Sequence, residues 1–250
     1  MRARRLAAVA TVALGLVALS GCRAEPGIAA YIGDQRITDV QVNAAMKDLR
    51  TKNPAPETSA SGQPAAAEPT VPGVADVVRT MVLTRVCEKL SAEKNYQPRG
   101  QVAVDQAAQS LGLDAETGHV REVAKLYTCL SGLPADPVEP SKEEIAEVIA
   151  AGRAAGKIPA ETTDEAAAQQ LDGEQLRGAL ATKRILAEAV GRYDVTVNPR
   201  YRPLEFPLLS FDAKSPAVSV PLGEPASDAV TDLVTPEEPT ATPKAEGTAS

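Results

Sequence analysis

Residues 74–90 carry an apolar stripe, and this stripe constrains the fold more than any other feature of the sequence. Its members recur with the period of one helix face: Val74, Val77, Val78, Met81, Val82, Val86 and Leu90. Such a helix becomes stable when its stripe packs against other elements. Trp is absent and only 3% of the 250 residues are aromatic, so the core is built from Val, Leu, Ile and Ala. The sequence predicts a mainly α, multi-helix fold.

Local signals predict further helices. Thr38 with Gln41, and Ser141 with Glu144, have the spacing of capping boxes, which begin helices; the first of these helices is expected at about 39–51. A short helix is predicted at 102–111, a fourth is predicted to be capped by Asp114, and a long one is predicted at 163–193. The fourth helix has an apolar face made of Val120, Val123, Tyr127 and Leu130.

Short strands are predicted at both ends of this helical region. Ile28–Ile32 reads as a strand, Gly33-Asp34 as a tight turn, and 35–37 as the returning strand. At the other end, Val195 and Val197 alternate with polar residues.

The N-terminus reads as an export signal. Arg2, Arg4 and Arg5 precede an apolar run at 6–19 that is shorter than the ~20 residues needed to span a bilayer. The following Leu-Ser-Gly-Cys at 19–22 resembles the bacterial lipobox. This resemblance implies cleavage after residue 21 and lipid attachment at Cys22, which anchors the protein to the cell membrane outside the cytoplasm. The alternative is an ordinary signal peptide in which Cys22 is incidental.

Charge and proline content indicate which partners the mature chain can bind and which of its segments can fold. Loss of residues 1–21 leaves a mature chain with a formal charge of −10, and such an acidic chain is a poor partner for nucleic acid. Residues 22–211 are predicted to form one helical domain, interrupted by a flexible proline-rich insertion at 52–72. Residues 212–250 are predicted to be a disordered acidic tail.

The remaining cysteines are disulfide candidates. Cys87 and Cys129 each lie at the edge of an apolar helix face, and export makes their oxidation chemically reasonable. The alternative is two separate small core residues. His119, the only histidine, is expected to be exposed near the start of the fourth helix.

Catalytic patterns are not found in the sequence. One histidine offers no His-rich metal site and little prospect of a catalytic triad, and neither a Gly-rich phosphate loop nor a CxxC motif occurs. We therefore expect no enzyme activity, no cofactor and no metal.

Two motifs resemble exported chaperone-like domains of the SurA and PrsA type. "AAYIGDQRITDVQVNAAM" at 29–46 is similar to their opening strand, turn and first helix, and "DVTVNPRY" at 194–201 is similar to their closing strand. The resemblance implies a helical domain whose terminal strands pair and whose apolar cleft binds unfolded or extended polypeptide. Many relatives also carry a parvulin prolyl-isomerase domain of roughly a hundred residues, and no stretch here has room for one.

Two functions follow as hypotheses. One is a membrane-anchored holdase that keeps exported chains soluble, and the other is a structural or assembly lipoprotein that binds one defined partner. A broad exposed apolar groove favours the holdase, whereas a closed core with one flat patch favours the scaffold.

Overall fold

The computed structural model describes residues 25–54, 71–212 and 214–223. These residues form seven α-helices and five strands, which confirms the mainly α fold with short strands. In chain order they are β1 (Ile28–Ile32), β2 (Gln35–Thr38), α1 (Asp39–Lys52), α2 (Val74–Lys94), α3 (Val104–Leu111), α4 (Gly118–Ser131), α5 (Lys142–Ala154), α6 (Asp164–Leu171), α7 (Glu174–Arg192), β3 (Val195–Val197), β4 (Glu205–Asp212) and β5 (Ser215–Pro221). The predictions for the export signal, for residues 55–70 of the insertion and for residues 224–250 lie outside the described residues.

The strands at the two ends of the helical region pair with each other. They form a three-stranded antiparallel sheet in the order β2-β1-β3, in which Tyr31 lies opposite Thr196. Gly33 adopts the left-handed backbone conformation that the tight turn between β1 and β2 requires (φ +61°). The sheet brings the beginning and the end of the helical region together.

Both predicted capping boxes are present. The Thr38 hydroxyl accepts the Gln41 backbone N–H at 3.3 Å, and the Gln41 side chain accepts the Thr38 N–H at 2.9 Å. Ser141 and Glu144 make the same reciprocal pair at 3.2 and 2.8 Å. These bonds satisfy backbone donors that the first helical turn leaves without partners, so α1 and α5 begin where the sequence predicts.

Two helix boundaries differ from the prediction. Thr117, not Asp114, caps α4, because Asp114 accepts the Glu116 N–H within the preceding turn. The single long helix at 163–193 is wrong, since the chain breaks between α6 and α7 at Asp172 and Gly173. Arg177 holds the Asp172 carboxylate with two hydrogen bonds of 2.7 Å, and glycine has a low helix propensity.

The predicted start of the disordered tail at residue 212 is also wrong. Strands β4 and β5 form an antiparallel hairpin that extends to Pro221, and Val218, Val220 and Leu222 are buried. Prolines are tolerated here because each strand of a two-stranded sheet keeps one open edge.

Buried side chains form two cores. The main core joins the three-stranded sheet, α1 to α4 and the C-terminal half of α7. The small core contains Val148, Leu176, Leu180 and Val218, from α5, α7 and β5. Helix α7 and the β4–β5 hairpin contribute to both cores. Among the described helices, none is long and apolar enough to cross a membrane.

Candidate binding groove

Helices α2 and α4 are joined by the predicted disulfide. The Cys87 and Cys129 sulfur atoms are 2.07 Å apart and their Cα atoms 6.2 Å apart. Cys87 is fully buried, and the Cys129 sulfur lies 3.3 Å from the Ser91 hydroxyl. The bond fixes α4 against α2, the pair of helices that supports the candidate site.

A surface groove follows α4. It consists of two hollows of about 370 and 400 Å³ that share Leu111, Val123 and Tyr127, and we call it the Tyr127 groove. The first hollow is lined by residues before and within α2, the last residue of α3, residues of α4, and two residues of β4: Val71, Pro72, Gly73, Asp76, Arg79, Thr80, Leu111, His119, Val123, Leu126, Tyr127, Phe206 and Pro207. The second lies between α3 and α4 and is lined by Val102, Gln106, Ala107, Ser110, Leu111, Val123 and Tyr127. Apolar side chains therefore dominate the walls of the groove.

A third hollow of about 530 Å³ shares Val102 with the groove and reaches Cys129. Charged side chains border it, namely Glu88, Arg121 and Lys125. The Tyr127 groove differs from this hollow because a half-exposed aromatic ring lies between its two parts, and for that reason it is the candidate site.

Tyr127 lies at the centre of the groove and is 49% exposed. The sequence predicted that it lies on the apolar face of α4 with Val120 and Val123. Those two valines are buried, but in the described structure Tyr127 faces the hollows on both sides. A half-exposed aromatic ring between apolar hollows is typical of a contact surface rather than of a core.

His119 is buried in the groove wall, so the expectation that it is exposed is wrong. Only 5% of its surface is exposed, and it lines the first hollow together with residues of α2 and β4. Within the described ranges, no hydrogen bond reaches its imidazole. Burial lowers the pKa of His119, and the nearby Asp76 carboxylate opposes this effect. His119 is therefore neutral at pH 7, with one nitrogen that donates and one that accepts a hydrogen bond.

A charged pair completes the polar part of the first hollow. Asp76 accepts the Gly73 backbone N–H at 2.9 Å and lies 3.0 Å from an Arg79 terminal nitrogen. The buried Nε of Arg79 has no acceptor among the described residues. A hollow with apolar walls and polar atoms without partners matches a ligand that combines apolar side chains with hydrogen-bonding groups.

Asp48 of α1 positions the start of α4. Its carboxylate accepts the Gly118 backbone N–H at 2.7 Å and lies 2.9 Å from the Lys52 amine. The backbone hydrogen bond, followed by Lys52, lowers the pKa of Asp48. A carboxylate at a helix N-terminus satisfies free N–H groups and favours the helix dipole, so this contact holds His119 and the groove in place.

Of the predicted site residues, the structure brings Cys87 and Cys129 together, whereas Cys22 lies outside the described residues. Within those residues, His, Cys, Asp and Glu side chains form no group of three that could hold a metal ion. Sequence reasoning missed the groove because its walls come from segments far apart in the chain. The one available signal was a helix face that combines Val123 with the amphipathic Tyr127.

Comparisons of the chain with known protein families, with characterised proteins and with solved structures found no significant match.

Proposed function

We propose that this chain is an exported lipoprotein, anchored to the cell membrane by lipid on Cys22, whose helical body binds unfolded or extended polypeptide in the Tyr127 groove. The observation that carries the proposal is the groove itself, with a half-exposed Tyr127 between two mainly apolar hollows. The similarity of residues 29–46 and 194–201 to SurA- and PrsA-type domains supports the same function.

The polar atoms of the first hollow suit a polypeptide backbone. Each peptide unit presents one N–H donor and one carbonyl acceptor. A neutral His119 offers one acceptor and one donor, and the Arg79 guanidinium, whose side chain is 28% exposed, offers further donors. Because backbone groups are the same in every client, these contacts fit binding with little sequence preference.

The expected affinity is low. Burial of about 100 Å² of apolar client surface contributes ~2.5 kcal/mol, and the entropy costs of association and ordering offset much of that. The formal charge of −10 on the mature chain helps keep bound clients in solution. The proposed activity is therefore weak, promiscuous and independent of ATP.

An aggregation assay with two unrelated unfolded proteins tests this function. The mature chain carries Cys22→Ser so that it needs no detergent, and it is produced by export so that the disulfide forms. We expect the body, in several-fold excess, to slow the aggregation of both clients. Tyr127→Asp should remove most of this protection, because it places a charge between the apolar hollows.

Val40→Asp is the matched control, since Val40 is also a large exposed apolar residue but lies outside the groove. It should protect as well as the parent chain, and both variants should keep the parent melting temperature. No protection of either client would contradict the holdase and favour the scaffold, which predicts tight binding to one partner.

A further inference from the structure

The chain enters the folded body at one defined edge. The Glu25 carbonyl accepts the Ile28 N–H at 3.2 Å, and the Gly27 carbonyl accepts the Asp39 N–H at 2.8 Å. The Asn198 side chain donates to the Ile28 carbonyl at 3.0 Å. The first described residues, the start of α1 and the segment after β3 therefore meet at this edge.

The surface at this edge carries an exposed valine and a half-buried tyrosine that packs partly against the main core. We call it the entry face and define it by Gly27, Val40, Arg200 and Tyr201. Val40, in the first turn of α1, is 77% exposed. Arg200 forms an ion pair with Asp39, and its guanidinium group lies 4.7 Å from the centre of the Tyr201 ring.

The distance from Cys22 limits where this face can lie. Only Arg23 and Ala24 separate Cys22 from Glu25, so three extended residues span at most about 11 Å. The polar interfacial layer on each side of a bilayer is roughly 5–8 Å thick. A lipid on Cys22 therefore keeps Glu25 within about 6 Å of the headgroup layer, even when the connecting residues are fully extended.

We propose that the entry face lies against the bilayer, with Val40 and Tyr201 in the interfacial layer. This inference rests on the proposed lipid attachment at Cys22. Tyrosine suits this layer because its ring is apolar and its hydroxyl is polar. Because Asp39 already balances the charge of Arg200, the contact is with the interface itself and needs no anionic lipid.

The absence of Trp from the chain allows a direct test. The full lipoprotein with Val40→Trp is reconstituted into phosphatidylcholine vesicles that contain lipids brominated on their acyl chains. We expect its fluorescence to shift to the blue and to lose most of its intensity to bromine quenching. Addition of anionic lipid or of salt should change this little.

Tyr127→Trp is the control, because Tyr127 is the other large exposed apolar residue in the described structure and no residue of the Tyr127 groove belongs to the entry face. It should show little quenching. Equal quenching of the two variants, or none for Val40→Trp, would overturn the inference about the entry face.

Mass spectrometry of the mature N-terminus distinguishes failure of the entry face from failure of the lipid anchor. If Cys22 is acylated and Val40→Trp is not quenched, only the entry face is refuted. If Cys22 is not acylated, the anchor and the entry face are both refuted.

Discussion

At the scale of single residues, we expect His119 to make stability depend on pH. It is the only histidine, and burial lowers its pKa in the folded chain. The unfolded chain binds the proton with a pKa near 6.5, so it takes up the proton more readily than the folded chain. We therefore expect the free energy of unfolding to fall as the pH drops below about 6.5, and to level off below the pKa of the folded state.

Urea unfolding between pH 7.5 and pH 5 checks this prediction. The parent midpoint should move to lower urea at acid pH, whereas His119→Gln should show a much smaller change because glutamine does not titrate. Equal pH dependence in both proteins would show that another group is responsible.

At the scale of elements, the disulfide is a covalent link between α2 and α4, the two helices that line the first hollow of the groove. It joins residues 42 positions apart, and loss of a link of this length costs about 4 kcal/mol by the loop-closure entropy. We expect Cys87→Ala with Cys129→Ala to unfold at a markedly lower urea concentration than the parent chain.

Reductant provides the matched control for the disulfide. It should lower the urea midpoint of the parent chain to nearly that of the double variant, and it should leave the variant unchanged. Thiol labelling of freshly isolated, denatured protein should find neither Cys87 nor Cys129 free. Two free thiols there would make the cysteines ordinary core residues.

Elements whose signals lie within a few residues could be predicted from the sequence. The capping boxes at Thr38 and Ser141 and the turn at Gly33 depend on neighbours in the chain, so α1, α5 and the β1–β2 hairpin agree with expectation. The β4–β5 hairpin was missed because its prolines and acids are typical of an open chain. Val218 and Val220 alternate with Ser219 as in a strand, but three residues are too short a pattern to outweigh the surrounding prolines.

Less of the groove than of the helices and strands could be predicted from the sequence. The apolar stripe of α2 and the disulfide partners could be predicted, because each depends on periodicity along one helix. The burial of His119 could not, since it depends on Asp76 from α2 and Phe206 from β4 in the same hollow. The exposure of Tyr127 could not be predicted either. The sequence pattern identifies the apolar face of α4 but not which residues of that face other elements cover.

At the scale of the whole molecule, the two cores are expected to unfold together. Helix α7 places Leu176 and Leu180 in the small core and Leu186 in the main core. The hairpin does the same, since Val218 belongs to the small core and Val220 to the main core. Elements shared in this way couple the two cores, so damage to either strand of the hairpin should destabilise both.

Two truncations test this coupling. A chain that ends at Phe211 lacks β5, and each lost Val or Leu side chain contributes ~1.5–3 kcal/mol of burial. At about 2–4 °C per kcal/mol for a chain of this size, we expect one cooperative transition that lies more than 10 °C below that of the full chain. Far-UV circular dichroism melts measure it.

A chain that ends at Gly223 is the control for the truncation at Phe211. It keeps all the buried contacts of the hairpin, of which Leu222 is the last, and should melt within a few degrees of the full chain. Equal melting of the two truncated chains would mean that β5 adds no stability. Two separate transitions in the chain that ends at Phe211 would mean that the main core folds without the small core. Helix α7 would then be insufficient to couple the two cores once β5 is removed.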